Sequence, residues 1–222
     1  MREDMISNAL IWLLSKIVNY LVSGDSIDHV FPQDRLSPNG VFGINQMTLL
    51  ERWHELEHEL DIWYQGLPAT FKACARLEPV PGTDGSPRTV FPEVWYSISM
   101  CASAMQCYHM ARVILLTNKP HESTARRTTI GTRLHSYRSI HAGVRYHSYE
   151  ICGIALARPN GSVRINMTQP LFVAGQCLTE ISEQRILLDL LRGIESDLGW
   201  ATEYRVQQLL REWGWIRDTG GN

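Results

Sequence analysis

The most chemistry-like spacing in the chain is His54-Glu55-Leu56-Glu57-His58. Two histidines four residues apart on a helix stand one turn above each other. Both imidazoles can then hold Zn²⁺ while the glutamate between them activates a metal-bound water. That is one reading of the chain, a zinc-dependent metallopeptidase using His54, His58 and Glu55. The surrounding pattern argues against it. Leu50, Trp53, Leu56, Leu60 and Trp63 form a narrow apolar stripe, which fixes the side of the helix that faces a core. At 100° per residue the two histidines lie roughly 140° from that stripe, toward solvent. Downstream, Asp61-Ile62-Trp63-Tyr64 supplies neither the glycine nor the third histidine of the longer motif, and Glu78 sits in a proline-rich loop. With Glu57, Glu59 and Asp61 beside them, the histidines read as part of a solvated charged face. The sequence therefore assigns no catalytic residue and no metal ligand.

A second candidate is the pair Gln106 and His109, polar residues on the inward side of an otherwise apolar helix. A buried polar group needs a hydrogen-bond partner, so a core network is one reading. The other is a small-molecule effector pocket between helices, where bundles place such sites. A third cluster runs from His121 to His147, with Arg126, Arg127, Arg133, Arg138 and Arg145 against one acid, Glu122. A phosphate-contacting face would need these cations on one helical side. They do not share one, so no DNA-binding residue is assigned. Cys101 and Cys107, six apart, lie about 240° around a helix and cannot hold a metal as neighbours. No phosphate-cradling glycine loop, dinucleotide fingerprint or nucleophile elbow occurs.

Composition sets the frame for these groups. The 222 residues carry 44% hydrophobic and 20% charged side chains, with seven tryptophans. Such a chain has the material for a sizeable core. A net charge of −2 gives no overall basic field to recruit nucleic acid or anionic membrane. Five scattered cysteines without C-x-x-C point to a reducing compartment rather than a disulfide framework. The N-terminal apolar run is interrupted by Lys16, so neither a signal peptide nor a membrane span is expected.

The element that must organise the rest is Phe91–Pro120. Pro92 suits a first helical position, Glu93 the first turn, and Pro120 a stop. Its apolar residues go most of the way round, as in a helix that others surround. The expected fold class is all-α, a single domain of about seven helices around a central helix at about 92–117. Within it, 1–47 is an N-terminal helix (5–22, stopped at Ser23-Gly24-Asp25) and loop, 48–215 the helical core, and 216–222 a tail. Thr48 to Glu51 reads as the capping box that opens the second helix. Residues 78–88 read as a loop, and 121–157 as a long helix with a seam through Ile130, Leu134, Tyr137, His141, Val144, Ile151 and Ala155. Pro170 opens a helix to about Glu180, 182–197 forms the next before Gly199, and Thr202 caps the last. No useful strand-like alternation appears.

Several phrases, in order, resemble the fungal-specific transcription factor domain, the regulatory region of fungal binuclear zinc-cluster transcription factors. They are Trp53-His54-Glu55-Leu56 to Trp63-Tyr64-Gln65-Gly66-Leu67-Pro68, then Phe91-Pro92-Glu93-Val94-Trp95-Tyr96. Tyr108-His109-Met110-Ala111 with Leu115-Leu116, and Ile151-Cys152-Gly153-Ile154-Ala155, come next. The strongest are Gln169 to Gln176, Leu187 to Leu191, Leu198-Gly199-Trp200-Ala201-Thr202 and Glu212-Trp213. The resemblance implies an all-α regulatory domain that acts in the nucleus (the alternative being the cytoplasm) on RNA polymerase II transcription. Its implied partners are the transcription machinery or co-regulators, a small-molecule effector, and a second copy in a full-length homodimer, with no membrane. DNA would be reached only through an N-terminal zinc cluster of six close cysteines. This chain lacks that cluster, so no cofactor is expected in it, and it reads as a fragment of a longer factor or as a protein that keeps only the regulatory half. A non-catalytic helical scaffold is the remaining alternative.

Overall fold

In a computed structural model of the chain, residues 2–30, 40–79, 90–120 and 130–216 are described; for 23–30, 40–47, 130 and 132 this covers the backbone course alone. The fold is all-α. In order come α1 (Glu3–Val30), α2 (Gly40–Gln65), a 3-10 turn (Ala69–Phe71), strands β1 (Ala75–Leu77) and β2 (Glu93–Trp95), α3 (Ser99–Thr117), α4 (Ile130–Leu156), α5 (Gly161–Asn166), α6 (Thr168–Cys177), α7 (Ile181–Leu198) and α8 (Glu203–Glu212).

Helix α3 is the centre. It packs against α1, α2, α4, α5 and α6, and Cys101, Ala102, Met105, Tyr108, Ala111 and Leu115 on it are buried. Its alanines, at 102, 104 and 111, let neighbouring helices approach closely, as interdigitated interiors require. Two tryptophans of α2 fasten that helix to its neighbours, one to α3 and one to α1. The Trp53 indole N–H donates to the Leu115 carbonyl at 2.7 Å, and that of Trp63 donates to the Ile6 carbonyl at 2.9 Å. Burying such a ring satisfies its N–H while adding a large apolar area.

The central helix starts at Ser99, not at Pro92. Glu93–Trp95 instead pairs antiparallel with Ala75–Leu77, in the register Ala75↔Trp95, Arg76↔Val94 and Leu77↔Glu93. Val94-Trp95-Tyr96 is β-branched and aromatic, a composition that fits a half-buried strand. A helix with apolar residues nearly all round has no sharp periodicity to mark where it begins, and the pairing with β1 decides the boundary. The expectation of no strand is corrected in the same way.

Other boundaries shift for local reasons. Helix α1 runs on through Ser23-Gly24-Asp25 to Val30, and α2 begins at Gly40, so Thr48 lies inside a helix rather than at its cap. The Asn160 side chain accepts from the Val163 amide at 3.2 Å and caps α5, a short helix absent from the sequence reading. Pro170 sits in the first turn of α6, two residues past its start. There an amide N–H would have no helical partner anyway. Gly199 takes φ +68° and ends α7 as expected. Thr202 stands at the N-cap of α8, but the capping group is the Glu195 carboxylate, which accepts from the Thr202 and Glu203 amides at 2.7 and 2.8 Å. These bonds hold the Glu195 carboxyl below its usual range.

Among the described side chains the α4 seam buries only from Val144 onward: Leu134, Tyr137 and His141 are exposed, and the Ile130 side chain lies outside what is described. Helix α1 also departs from expectation, because its 20 residues Glu3–Val22 are long and apolar enough to cross a membrane by length and composition. One face (Ile6, Leu10, Leu13, Ile17, Tyr20) is buried in the core here, while Ile11, Trp12, Val18 and Val22 are exposed. The loop read at 78–88 lies outside the described residues from 80 onward, as do 31–39, 121–129 and the tail from 217.

Candidate functional site

The stripe on α2 faces inward as its spacing requires: Trp53, Leu56 and Leu60 are at most 2% exposed. That turns His54, Glu55 and His58 outward, and all three are exposed. His54 Nδ1 lies 3.6 Å from the Glu57 carboxylate, across one helical turn, and Glu55 pairs with Arg52 at 2.7 Å. Glu78 is held by the Arg76 Nε at 2.5 Å. Among the described residues no three histidine, cysteine or acidic side chains converge as a metal set. Of the arginine-rich segment, Arg126 and Arg127 lie outside the described residues, Arg133 and Arg138 are exposed, and Arg145 pairs with the buried Glu183. Tyr149 also donates to Glu183 and receives a hydrogen bond from Arg145.

Gln106 and His109 are both buried, at 1% and 3% exposure, and the structure separates their roles. Gln106 turns into the helix interface. Its amide N–H donates to the Ile151 carbonyl of α4 at 3.3 Å, and its side-chain oxygen has no partner among the described residues. His109 borders a cleft of about 460 Å³. Its Nδ1 stands 2.8 Å from the Nδ1 of His147 on α4. Two nitrogens at that distance share one hydrogen, so at most one of the facing positions is protonated. Burial first, then the neighbouring His147, holds the His109 pKa well below its ordinary value. Burial and the Arg112 guanidinium hold His147 down at about 4. Both rings are therefore neutral near pH 7: the ring that donates across the contact keeps an acceptor at its outer nitrogen, and the ring that accepts keeps a donor there.

The cleft is assembled from four elements. The end of α2 and the following loop bring Tyr64 and Leu67, the hairpin brings Arg76 and Val94, α3 brings His109, and α4 brings Tyr146 and Glu150. Glu150 is the buried anion of the site. Both its oxygens accept from Arg76 Nη1, at 2.7 and 3.0 Å. The strand register sets Arg76 directly across from Val94, which aims its long side chain from an exposed strand back over α4. Burial, and secondarily the Glu150 charge, push the Tyr96 and Tyr146 phenols upward, so both stay protonated as hydrogen-bond donors. Behind them Tyr108 stacks on Tyr64 with ring centroids 4.8 Å apart and planes 13° from parallel, and burial pushes its phenol up to about 12. Aromatic walls, a satisfied ion pair and a neutral imidazole pair suit reversible binding of a small organic molecule.

The chain resembles a transcription activator. Transcription activator AMTR1 of Alternaria alternata is 42% identical to it over 220 residues, which cover 96% of this chain and 27% of that protein. The chain thus spans about a quarter of the length of the curated relative it matches. No family model matches the chain, and no solved structure matches it.

Sequence reasoning found His109 but missed its partners. Neither His147 nor Arg76 with Glu150 stands out, because each pair joins elements 38 and 74 residues apart. A weak signal existed in the -Tyr146-His147-Ser148-Tyr149-Glu150- run, which puts polar groups on the side of α4 that continues into buried Ile151 and Cys152.

Proposed function

We propose that this chain is the regulatory, effector- or partner-responsive domain of a fungal zinc-cluster-type RNA polymerase II transcription factor, acting in the nucleus. The similarity to a transcription activator along 96% of the chain carries this reading. The ordered phrases from Trp53 to Trp213 and the all-α architecture around α3 support it. On this reading the chain reads no DNA itself, holds no zinc and catalyses no reaction. DNA would be reached through a zinc cluster elsewhere in a longer factor, with the transcription machinery or co-regulators as partners. The cleft beside His109 is the candidate effector pocket, while Gln106 serves the α3–α4 interface.

The test is a fusion of residues 1–222 to an unrelated sequence-specific DNA-binding domain, measured on a reporter in a fungal host. Reporter output is expected to differ from that of the DNA-binding domain alone. Identical output, or sequence-specific DNA binding by the unfused chain, would overturn the reading.

A further inference from the structure

We propose that the cleft bordered by His109 takes a small planar aromatic carboxylate, its ring lying among the tyrosines and its carboxylate toward Lys72 and Arg76. The inference rests on the regulatory reading above, and it specifies the chemistry of the effector. Three features of the cleft lead to it.

The first is shape and wall chemistry. A cleft of about 460 Å³ lies in the range that holds a small ligand. Tyr64, Tyr96 and Tyr146 present rings, and Leu67, Val94 and Met105 complete an apolar floor. Flat aromatic ligands gain most from such walls, through offset or edge contacts between rings.

The second is the balance of spare hydrogen-bonding groups. Among the described residues Glu150 is the one carboxylate lining the cleft, and both its oxygens are already engaged by Arg76. Arg76 uses Nε for Glu78 and Nη1 for Glu150, and among the described residues its Nη2 has no hydrogen-bond partner, which leaves that edge of the fork for a ligand. Lys72 adds an exposed ammonium, and the phenols of Tyr96 and Tyr146 remain protonated. The unspent polar capacity is thus mostly donor, and an acceptor-rich anion answers it.

The third is rigidity. Arg76 is held on both sides by carboxylates and seated on a paired strand, so little side-chain entropy remains to be lost when an anion arrives. An aromatic amine would have to displace Arg76 from Glu150 to reach the site's carboxylate.

The experiment is ligand-observed NMR or calorimetry on the 222-residue chain with three probes: 4-hydroxycinnamate, tyramine and cyclohexanecarboxylate. The acid with an aromatic ring is expected to bind roughly tenfold or more tighter than either other probe, the factor for one charge-assisted hydrogen bond or one stacked ring. Lys72→Gln and Tyr146→Ala, both at exposed positions, are each expected to weaken 4-hydroxycinnamate several-fold or more, with thermal stability unchanged. His58→Ala, on the far face of α2, is expected to leave binding as it is. Preference for tyramine, equal binding of all three, no effect of either cleft variant, or no binding at about 5 mM would each overturn the proposal. Reporter regulation without binding of the aromatic acid would remove this inference and keep the regulatory reading; binding without regulation would do the reverse.

Discussion

Gly153 is where a single methyl group should do the most damage. It lies in α4, buried against β2, and an added Cβ would stand 2.6 Å from the Pro92 carbonyl oxygen and 3.1 Å from Val94 Cγ2. In an exposed helix, Gly→Ala would stabilise by roughly 1 kcal/mol, through lower backbone entropy in the unfolded chain. Here the clash is with backbone, which cannot rotate aside. Pro92 must retreat by about 0.8 Å to restore ordinary contact, and it leads directly into the strand that carries Val94. Overpacking of this kind costs about 1–3 kcal/mol and sometimes more. Because the clash is with backbone, the cost falls in the upper part of that range, about 2–3 kcal/mol. The opposing terms leave Gly153→Ala destabilised by roughly 1–2 kcal/mol, or a Tm lowered by about 2–8 °C for a chain of this size. Gly175→Ala is the control. The atoms nearest its Cβ would be the side-chain tips of Leu209 and Leu187, at 2.9 to 3.0 Å, which rotamer changes can relieve. That variant is expected within about 1 kcal/mol of the parent. Thermal unfolding followed by circular dichroism measures both. A Gly153→Ala protein as stable as the parent, or less perturbed than Gly175→Ala, would refute the claim that α4 is seated on the β2 backbone.

The double variant His54→Ala/His58→Ala should change stability by no more than about 0.5 kcal/mol, since both rings face water; chemical denaturation reads this, and a large loss would mean the histidines are structural or metal-bound. Stability should fall as the pH drops from about 6.5 toward 4, because the unfolded chain binds the proton that folded His147, with its pKa at about 4, refuses. His147 alone accounts for about 3 kcal/mol across that window, and His109, lowered in the same direction, adds to it. Urea unfolding at pH 7, 6 and 5 should show this slope, flattened in His147→Gln; equal slopes in the two proteins would refute the assignment. Glu195→Ala should fray the start of α8, with faster hydrogen exchange at the Thr202 and Glu203 amides and little change in α3. Trp53→Phe should cost about 1–3 kcal/mol by leaving the Leu115 carbonyl without its buried donor, which a denaturation curve would resolve.

Legibility in the sequence followed the sharpness of the periodic signal. The stripe on α2 is narrow, so its orientation and the outward turn of His54 and His58 could be read from spacing alone. The stripe on α7 is equally plain: Leu187, Leu188, Leu191 and Ile194 are buried and Gly199 ends the helix in a left-handed conformation. The start of α3 was illegible for the opposite reason. Wrapped on most sides, it has no polar face to register the helix, and a proline that fits a first turn equally fits the approach to a strand. Thr202 shows a third case. Its residue type suits an N-cap, but its hydroxyl donates to the Leu191 carbonyl, because Glu195, seven residues back, is folded into reach of the same amides.

By itself, the sequence determined the class of the molecule: apolar repeats near 3.6 residues, tryptophans on inward stripes and turn residues between them leave little else than helices around a buried helix. It also singled out His109, since a polar residue among apolar neighbours on an inward face must find a partner. Tertiary structure alone decided what that partner is. Whether His109 meets His147, and whether Arg76 reaches Glu150, depends on which elements lie side by side and in what rotation, and those are long-range packing outcomes. Local periodicity fixes the face a residue occupies, while the residue across from it is chosen by the whole core at once.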